Sequence, residues 1–510
     1  MKKACKFLFV AALIALMLVS VVACKDGGNS GTSTPGGNSQ ATATPTPKPG
    51  DAGKDWDKNF TNPGEVYRFY SWQYASADPY SGNTERDQQM RERVNNLQNE
   101  YGITINFVPK SQTSALLQSA FQGSPEVTGQ KEGGLHTMMN TYLYQNLTGR
   151  CLEPLTDHSD VYNFNDENKF NVFSQYDLCE YNDKLWFFIP IELGVHFECG
   201  GNALVFNKKL LEAAGYTADT IYGWVDSGEW TWDKFEKCLV DTTLPDVNQW
   251  GIERGNQALI MWSLANSNGT EFVELVTLPS GQKQDSFVYT GEKGERLMAA
   301  YDEFVKLAND LKVMETTMYG QTDTTPLQHF LAGNVAFFYN GYSSNPLREI
   351  AKAEFEYGLV PWPKGPDMTK EDNYQSFYPH LNPYCVFRDQ RESANLKGAV
   401  QILCKLYTPI YDADSDDAIA LYESERMLYT RDEASAKNLD IVENNKVHFR
   451  VFMYANAPLS IGNANAVQEA LFGKGEDAIL KAETSASVYF RGIQGAINQA
   501  IYTRSPYSWK

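Results

Sequence analysis

Two hydrophobic rhythms alternate along the chain, and the switch between them recurs. Val66-Tyr67-Arg68-Phe69-Tyr70-Ser71-Trp72 is rich in aromatic and β-favouring side chains, which predicts a strand. Met90, Val94, Leu97 and Tyr101 follow at helical spacing in a polar stretch, the apolar stripe of an amphipathic helix. Gly102 ends that helix, and Ile103-Thr104-Ile105-Asn106-Phe107-Val108 alternates as a second strand. Strand, helix and strand in so short a span form a βαβ unit, which favours a parallel sheet. The pattern returns downstream. The apolar run from Leu185 to Ile189 stops at Pro190, and Ala203–Phe206 leads into a helix that Gly215 should close. Thr231 is placed to cap a helix carrying Trp232, Phe235 and Leu239. Leu297, Tyr301, Phe304, Ala308 and Leu311 mark another helix face, and a short helix runs from Pro326 to Gly333. Val335–Tyr339, Tyr357–Val360 and Tyr384–Phe387 read as strands. Leu396, Val400, Leu403 and Tyr407 lie on a helix that ends before Pro409. The last hundred residues read as mainly helical, with Phe490, Ile493, Ile497 and Ile501 on one stripe.

Size and charge narrow this α/β pattern. The chain has 510 residues, 42% hydrophobic and 13% aromatic, enough apolar matter for a sizeable core. Single cores stop growing near ~250–300 residues, so at least two lobes are expected. The formal net charge is −19, although residues 1–50 are basic, so the body is strongly acidic. Such a field repels phosphate backbones and anionic headgroups. No nucleic-acid partner is expected, and a neutral ligand suits the body best.

The N-terminus reads as an address. Lys2, Lys3 and Lys6 precede an apolar run from Phe7 to Ala23, a basic segment followed by a hydrophobic one. Val21-Val22-Ala23-Cys24 resembles the bacterial lipobox, at which a signal peptide is removed and the cysteine acylated. Residues 1–23 are therefore expected as signal peptide, with Cys24 lipidated. Residues 24–55, dominated by Gly, Ser, Thr and Pro, are expected as a tether without a fold. That places the body at the outer face of the bacterial cytoplasmic membrane.

Candidate chemistry is sparse. Cys151, Cys179, Cys199, Cys238, Cys385 and Cys404 have wide spacings and no C-x-x-C, and are expected mostly as free buried thiols. Asp412, Asp414, Asp416 and Glu423 imitate an EF-hand loop, but position 6 is Asp417 where glycine is required, so no metal and no other cofactor is expected. There is no G-x-S-x-G, H-E-x-x-H or Walker loop, which argues against an enzyme.

Five patches, in order, resemble the family 1 extracellular solute-binding proteins of ABC importers. They are the Ser71-Trp72 strand with Tyr101-Gly102-Ile103-Thr104-Ile105; the turn Gly123-Ser124-Pro125-Glu126-Val127; and Asn182–Pro190 followed by Phe206-Asn207-Lys208-Lys209-Leu210. Then come Glu229-Trp230-Thr231-Trp232-Asp233-Lys234-Phe235, and Phe330–Phe338 with Leu359-Val360-Pro361-Trp362-Pro363-Lys364-Gly365-Pro366. Glu126 departs from the family turn, where aspartate is usual. The resemblance implies a two-lobe periplasmic-binding-protein-like α/β fold, with a hinge and an interlobe cleft. Its crossings would fall near Phe188–Pro190, Tyr357–Pro361 and Tyr407–Pro409. Lobe 1 would then be 56–188 plus 358–408, and lobe 2 189–357 plus 409–510.

It implies a monomer that binds a neutral mono- or oligosaccharide and delivers it to ABC permease subunits, with a lipid anchor in the membrane. A sugar site needs an aromatic platform and convergent hydrogen-bonding groups. Trp72 and Tyr74 lie just past a strand's carboxyl end, where ligands of open α/β sheets bind. Tyr342 stands where the family often has a ligand-facing tryptophan. Glu126, Glu192, Trp262, His380 and Asn382 complete the candidate ligand set, while Trp230, Trp232 and Trp362 are assigned to packing. Two alternatives stay open: a lipoprotein that reports its ligand to a membrane sensor kinase, and a surface glycosidase or lyase.

Overall fold

The computed structural model describes residues 58–71, 78–82, 85–108, 134–137, 152–170, 203–253, 324–340, 349–378, 383–387 and 415–448, and most of 178–191, 257–314 and 395–412. The chain divides into two units, Met1–Lys54 and Asp55–Lys510, and everything described belongs to the second. The expected signal peptide, Cys24, the tether, Cys151, Cys199 and the Phe490–Ile501 stripe lie outside the described residues.

In chain order the strands are β1 (Val66–Ser71), β2 (Thr104–Phe107), β3 (Gly134–Thr137), β4 (Glu180–Tyr181), β5 (Lys184–Leu185), β6 (Ala203–Asn207) and β7 (Trp250–Ile252). They continue as β8 (Val273–Thr277), β9 (Lys283–Phe287), β10 (Val335–Asn340), β11 (Tyr357–Val360), β12 (Ser376–Tyr378), β13 (Tyr384–Phe387) and β14 (Lys446–His448). The α-helices are α1 (Glu85–Tyr101), α2 (Lys208–Ala213), α3 (Ala218–Asp226), α4 (Trp232–Thr242) and α5 (Gln257–Ser267). After them come α6 (Gly291–Val305), α7 (Thr324–Leu331), α8 (Leu396–Leu406), α9 (Asp416–Tyr429) and α10 (Glu433–Asn444).

Two four-stranded sheets organise the body: β2-β1-β3-β13, and β7-β10-β6-β11. In the first, β1 lies parallel to β2 and β3, as the βαβ reading predicts, and β13 runs antiparallel to β3. Tyr67, Phe69, Ile103 and Ile105 share a core with the α1 stripe Met90, Val94, Leu97 and Tyr101. In the second sheet, β7 is parallel to β10, while β6 is antiparallel to both of its neighbours. Asn207 caps α2 by accepting from the Lys209 and Leu210 amides, and Gly215 stops the segment at φ +92°, a left-handed conformation that suits glycine. Thr231 is the N-cap residue of α4, although its side chain makes no capping bond.

Three segments that leave the first sheet meet in one aromatic cluster. Phe188 stacks on Tyr384 at 5.5 Å, and Tyr384 lies 4.0 Å from Tyr407. Arg93 of α1 holds the third segment by donating to the carbonyls of Leu406, Thr408 and Pro409 just past α8. Phe188 still bridges to Tyr384, whereas the next long strand, β6, belongs to the second sheet.

The expected crossing near Tyr357–Pro361 is instead a strand of the second sheet, with β11 pairing along β6. The segment beyond it stays there too. Trp232 N–H donates to Lys364 O and Gly365 N–H to Ser267 O, and the Tyr374 hydroxyl donates to Val225 O. The chain rejoins the first sheet only at β13. The Tyr357–Val360 run is apolar throughout and carries no mark of which sheet it will pair with.

Helix α10 covers the outer edge of β11. Ser435 Oγ accepts from Leu359 N–H at 3.0 Å, and Asn438 Nδ2 donates to Leu359 O at 2.9 Å. Arg431 lies over the Tyr357 ring at 4.7 Å and donates to the carbonyls of Phe355 and Ala353. The three tryptophans assigned to packing are buried: Trp230, Trp232 and Trp362. Cys179, Cys238, Cys385 and Cys404 are buried. Burial pushes the Cys238 thiol up to about 12, so it stays protonated at neutral pH.

Candidate functional site

The polar positions of β1 and β2 explain the site. In the parallel register Arg68 stands beside Asn106, on the opposite faces of their strands from the buried neighbours Tyr67, Phe69 and Ile105. The loop after β1 returns to the same place with Asp78 and Tyr80. Together Arg68, Asp78, Tyr80, Ile105, Asn106, Phe107 and Val108 line an open pocket of about 440 Å³. That size is in the range of small-ligand pockets, ~300–1,000 Å³.

The loop is a built turn. Asp78 is buried, and its carboxylate accepts from the Tyr80 amide at 2.9 Å and the Ser81 hydroxyl at 3.1 Å. Ser81 N–H closes onto Asp78 O at 3.0 Å. This is an Asp-organised turn, in which the side chain replaces a backbone acceptor. Tyr80 stands at its apex, 54% exposed, edge-on to Phe107 at 6.5 Å; Phe107 in turn packs edge-on to buried Phe69 at 5.3 Å. Chemically the pocket offers a guanidinium, a carboxylate, an amide and a phenol above an apolar floor. Such a set hydrogen-bonds hydroxyls and lays an aromatic ring against C–H surface.

Of the residues expected at the site from sequence, Trp72, Tyr74, Glu126, Glu192, Tyr342, His380 and Asn382 lie outside the described residues. Trp72 follows β1 directly, and Tyr342 follows β10 by two positions. Trp262 is described: it lies on α5, buried within the core, and is not among the residues that line the pocket. Asn266, one turn further along α5, is also buried; its Nδ2 reaches Gln375 Oε1 at 3.5 Å.

Arg68, Asp78, Tyr80 and Asn106 are not among the expected residues. Signals for them exist in the sequence: polar residues at alternate strand positions, and the turn-forming run Asp78-Pro79-Tyr80-Ser81-Gly82 after a strand. Among the described residues no group of His, Cys, Asp and Glu is arranged to hold a metal ion. The EF-hand imitation cannot form its loop, because α9 already begins at Asp416 and runs through Glu423. Among the described residues, no helix is long and apolar enough to cross a membrane.

The sequence profile of the family described as bacterial extracellular solute-binding protein matches residues 188–380. No curated protein matches the chain. Among solved structures, the chain is similar to an ABC substrate-binding protein from Listeria monocytogenes in complex with cycloalternan. The identity is 13% and the TM-score 0.53, covering 86% of this chain and 99% of that one. It is also similar to the GacH receptor of Streptomyces glaucescens, solved unliganded and with acarbose, at 14% identity and TM-score 0.52, covering 84% and 99%. A third is UgpB from Mycobacterium tuberculosis in complex with glycerophosphocholine, at 15% identity and TM-score 0.51, covering 86% and 100%. At such identities these structures speak for the fold, which is the two-lobe α/β fold of periplasmic-binding-protein-like proteins. Residues 188–380 are thus similar in sequence to the bacterial extracellular solute-binding proteins, and the chain as a whole is similar in fold to the solved structures.

Proposed function

We propose that this chain captures a neutral carbohydrate between its two lobes and delivers it, chemically unchanged, to an ABC importer. The observation that carries this reading is the open pocket at Arg68, Asp78, Tyr80 and Asn106, beside the carboxyl end of β2. Ligands of open α/β sheets bind outside those strand ends. The solved structures that share the fold include complexes with cycloalternan, with acarbose and with glycerophosphocholine. Trp72 and Tyr74 extend the first wall of the site; Glu126, Glu192, Tyr342, His380, Asn382 and Trp262 are candidates for the remainder. A ligand closes two lobes only by favouring the closed state through contacts with both.

The lobes in this reading meet at three crossings: near Phe188–Pro190, between Tyr378 and Tyr384, and near Tyr407–Pro409. Cys24 carries the lipid that holds the body at the membrane, and residues 24–55 act as the tether.

The test is a thermal-shift screen of the full chain in detergent against mono- and oligosaccharides, polyols and glycerophosphocholine. A ligand at a hundred times its Kd adds ~2.7 kcal/mol of stability. Mass spectrometry of the recovered solute should find it intact. New reducing ends or unsaturated products would make the chain a glycosidase or lyase, and stabilisation by glycerophosphocholine alone would move the solute class away from sugars. No stabilisation by any carbohydrate overturns the reading. Labelled fatty acid should enter the wild type and not the Cys24→Ala chain.

A further inference from the structure

The turn that carries Tyr80 is held from outside itself. Arg91, two turns into α1, donates from Nη1 to the carbonyl oxygens of Pro79 and of Gly82, the latter at 2.8 Å. Those two carbonyls flank Tyr80 and Ser81, so one guanidinium clamps both ends of the turn. Gly82 lies close to α1: a Cβ atom there would stand 2.2 Å from the Asp87 carboxylate, so a larger residue would have to push that side chain aside. Inside the turn, Asp78 accepts from the Tyr80 amide and from Ser81. An apolar brace completes the arrangement, with the Tyr80 ring against Phe107 and Phe107 against Phe69. Three kinds of contact thus hold a tyrosine that remains more than half exposed at the lip of the pocket. An exposed aromatic gains little stability for its own fold from such support. A pre-positioned ring does gain affinity, because its ordering is complete before the solute arrives.

We propose that Tyr80 is an aromatic contact for the C–H face of the solute, and that Arg91 is its positioning residue, acting only through the 78–82 turn. This inference rests on the reading of the pocket as part of the solute site. Tyr80 would select solutes that present a flat C–H surface beside their hydroxyls.

Two measurements on the full chain in detergent decide it. The first needs no solute: hydrogen exchange of the amides in 79–82 is compared between wild type and Arg91→Ala. Faster exchange in the variant, confined to this turn, is expected; unchanged exchange overturns the positioning role. The second is titration calorimetry with cycloalternan, acarbose, maltotetraose and glycerophosphocholine on wild type, Tyr80→Ala, Arg91→Ala and the double variant. For a solute that binds the wild type, Tyr80→Ala should weaken binding about 2- to 13-fold, the size of one aromatic contact. Arg91→Ala should weaken it by a similar factor, and the double variant should be no weaker than Tyr80→Ala alone, as expected of residues acting in series. Wild-type affinity in Tyr80→Ala overturns the proposal. Multiplying factors in the double variant would mean that Arg91 acts by another route. If none of the four solutes binds the wild type, the pocket's solute reading falls and the Tyr80 contact with it, while the exchange measurement still decides whether Arg91 holds the turn.

Discussion

Strand β2 closes one edge of the first sheet and β11 one edge of the second, and the neighbouring helices treat these edges differently. At β2, Gln98 of α1 accepts from Ile105 N–H at 2.9 Å, and beyond it the strand opens onto the pocket beside Asn106, Phe107 and Val108. At β11, α10 lies across the strand. Ser435 serves the Leu359 N–H, Asn438 serves the Leu359 carbonyl, and Arg431 covers Tyr357. An edge buried without such partners would leave peptide groups dry and unpaired. A sealed edge therefore needs polar side chains turned inward toward the backbone. An open edge can leave its polar side chains facing space, where a solute can use them. The contrast separates a part of the molecule built to be closed from a part built to be met.

The sharpest way to break the second region is at its centre. Trp230 is fully buried, stacked at 6.1 Å on Trp224 and at 6.2 Å on Phe337, and its Nε1 donates to Pro361 O at 2.9 Å. Trp230→Ala should cost ~3–5 kcal/mol in urea unfolding. A loss below ~1 kcal/mol would show that this aromatic cluster does not hold the second sheet to the segment after β11.

The comparison of edges is sharpened by a matched pair. Ser435→Ala should cost ~1–3 kcal/mol, because it strands the buried Leu359 N–H. Gln98→Ala should cost only ~0.5–1.5 kcal/mol, because Gln98 and its bond are only partly buried. Equal losses would erase the distinction between a sealed and an open edge.

A pH effect belongs to the second region as well. Burial raises the Glu303 carboxyl to about 7; Lys306 opposes the shift, while the carboxylates of Glu236 and Asp233 add to it. Between its ordinary value of 4.5 and about 7, the folded chain holds a proton that the unfolded chain has released. The contribution of Glu303 to stability is therefore full below pH 4.5 and is lost as the pH rises through 7. Glu303→Gln should flatten that decline, with a gain over wild type of ~1–2 kcal/mol above pH 7 and none near pH 4.5. A constant difference across the range would remove Glu303 as the cause.

The smallest effect should fall in the first region. Tyr80→Ala should change stability by less than ~0.5 kcal/mol, because the ring is more than half exposed. A large loss would make Tyr80 a structural residue and close the open edge in the comparison.

The elements of the first region were readable because their rhythms are local. The stripe Met90, Val94, Leu97 and Tyr101 and the alternation of Ile103 to Phe107 each declare a helix or strand within a few residues, and a βαβ span forces β1 and β2 into parallel contact. Gly215 was readable for a similar reason, since its left-handed φ is a property of one residue. The sheet to which β11 belongs was not readable. Tyr357-Gly358-Leu359-Val360 is buried on every side, and a uniformly apolar strand carries no period that names its neighbour. Its partners come from residues far along the chain, Ser435 and Asn438 among them, whose polar side chains inside α10 make sense only against an edge.

The pocket follows the same division. By itself the sequence determined that a loop rich in turn formers follows β1, that polar residues alternate along β2, and which family the central segment resembles. Only the tertiary structure decided that Arg68 stands beside Asn106, that Arg91 reaches back to the carbonyls around Tyr80, and that Arg68, Asp78, Tyr80 and Asn106 share one opening. The physical reason is range: propensity and periodicity act over a few residues, whereas strand register and the reach of a guanidinium join residues that neighbour each other only once the chain has folded.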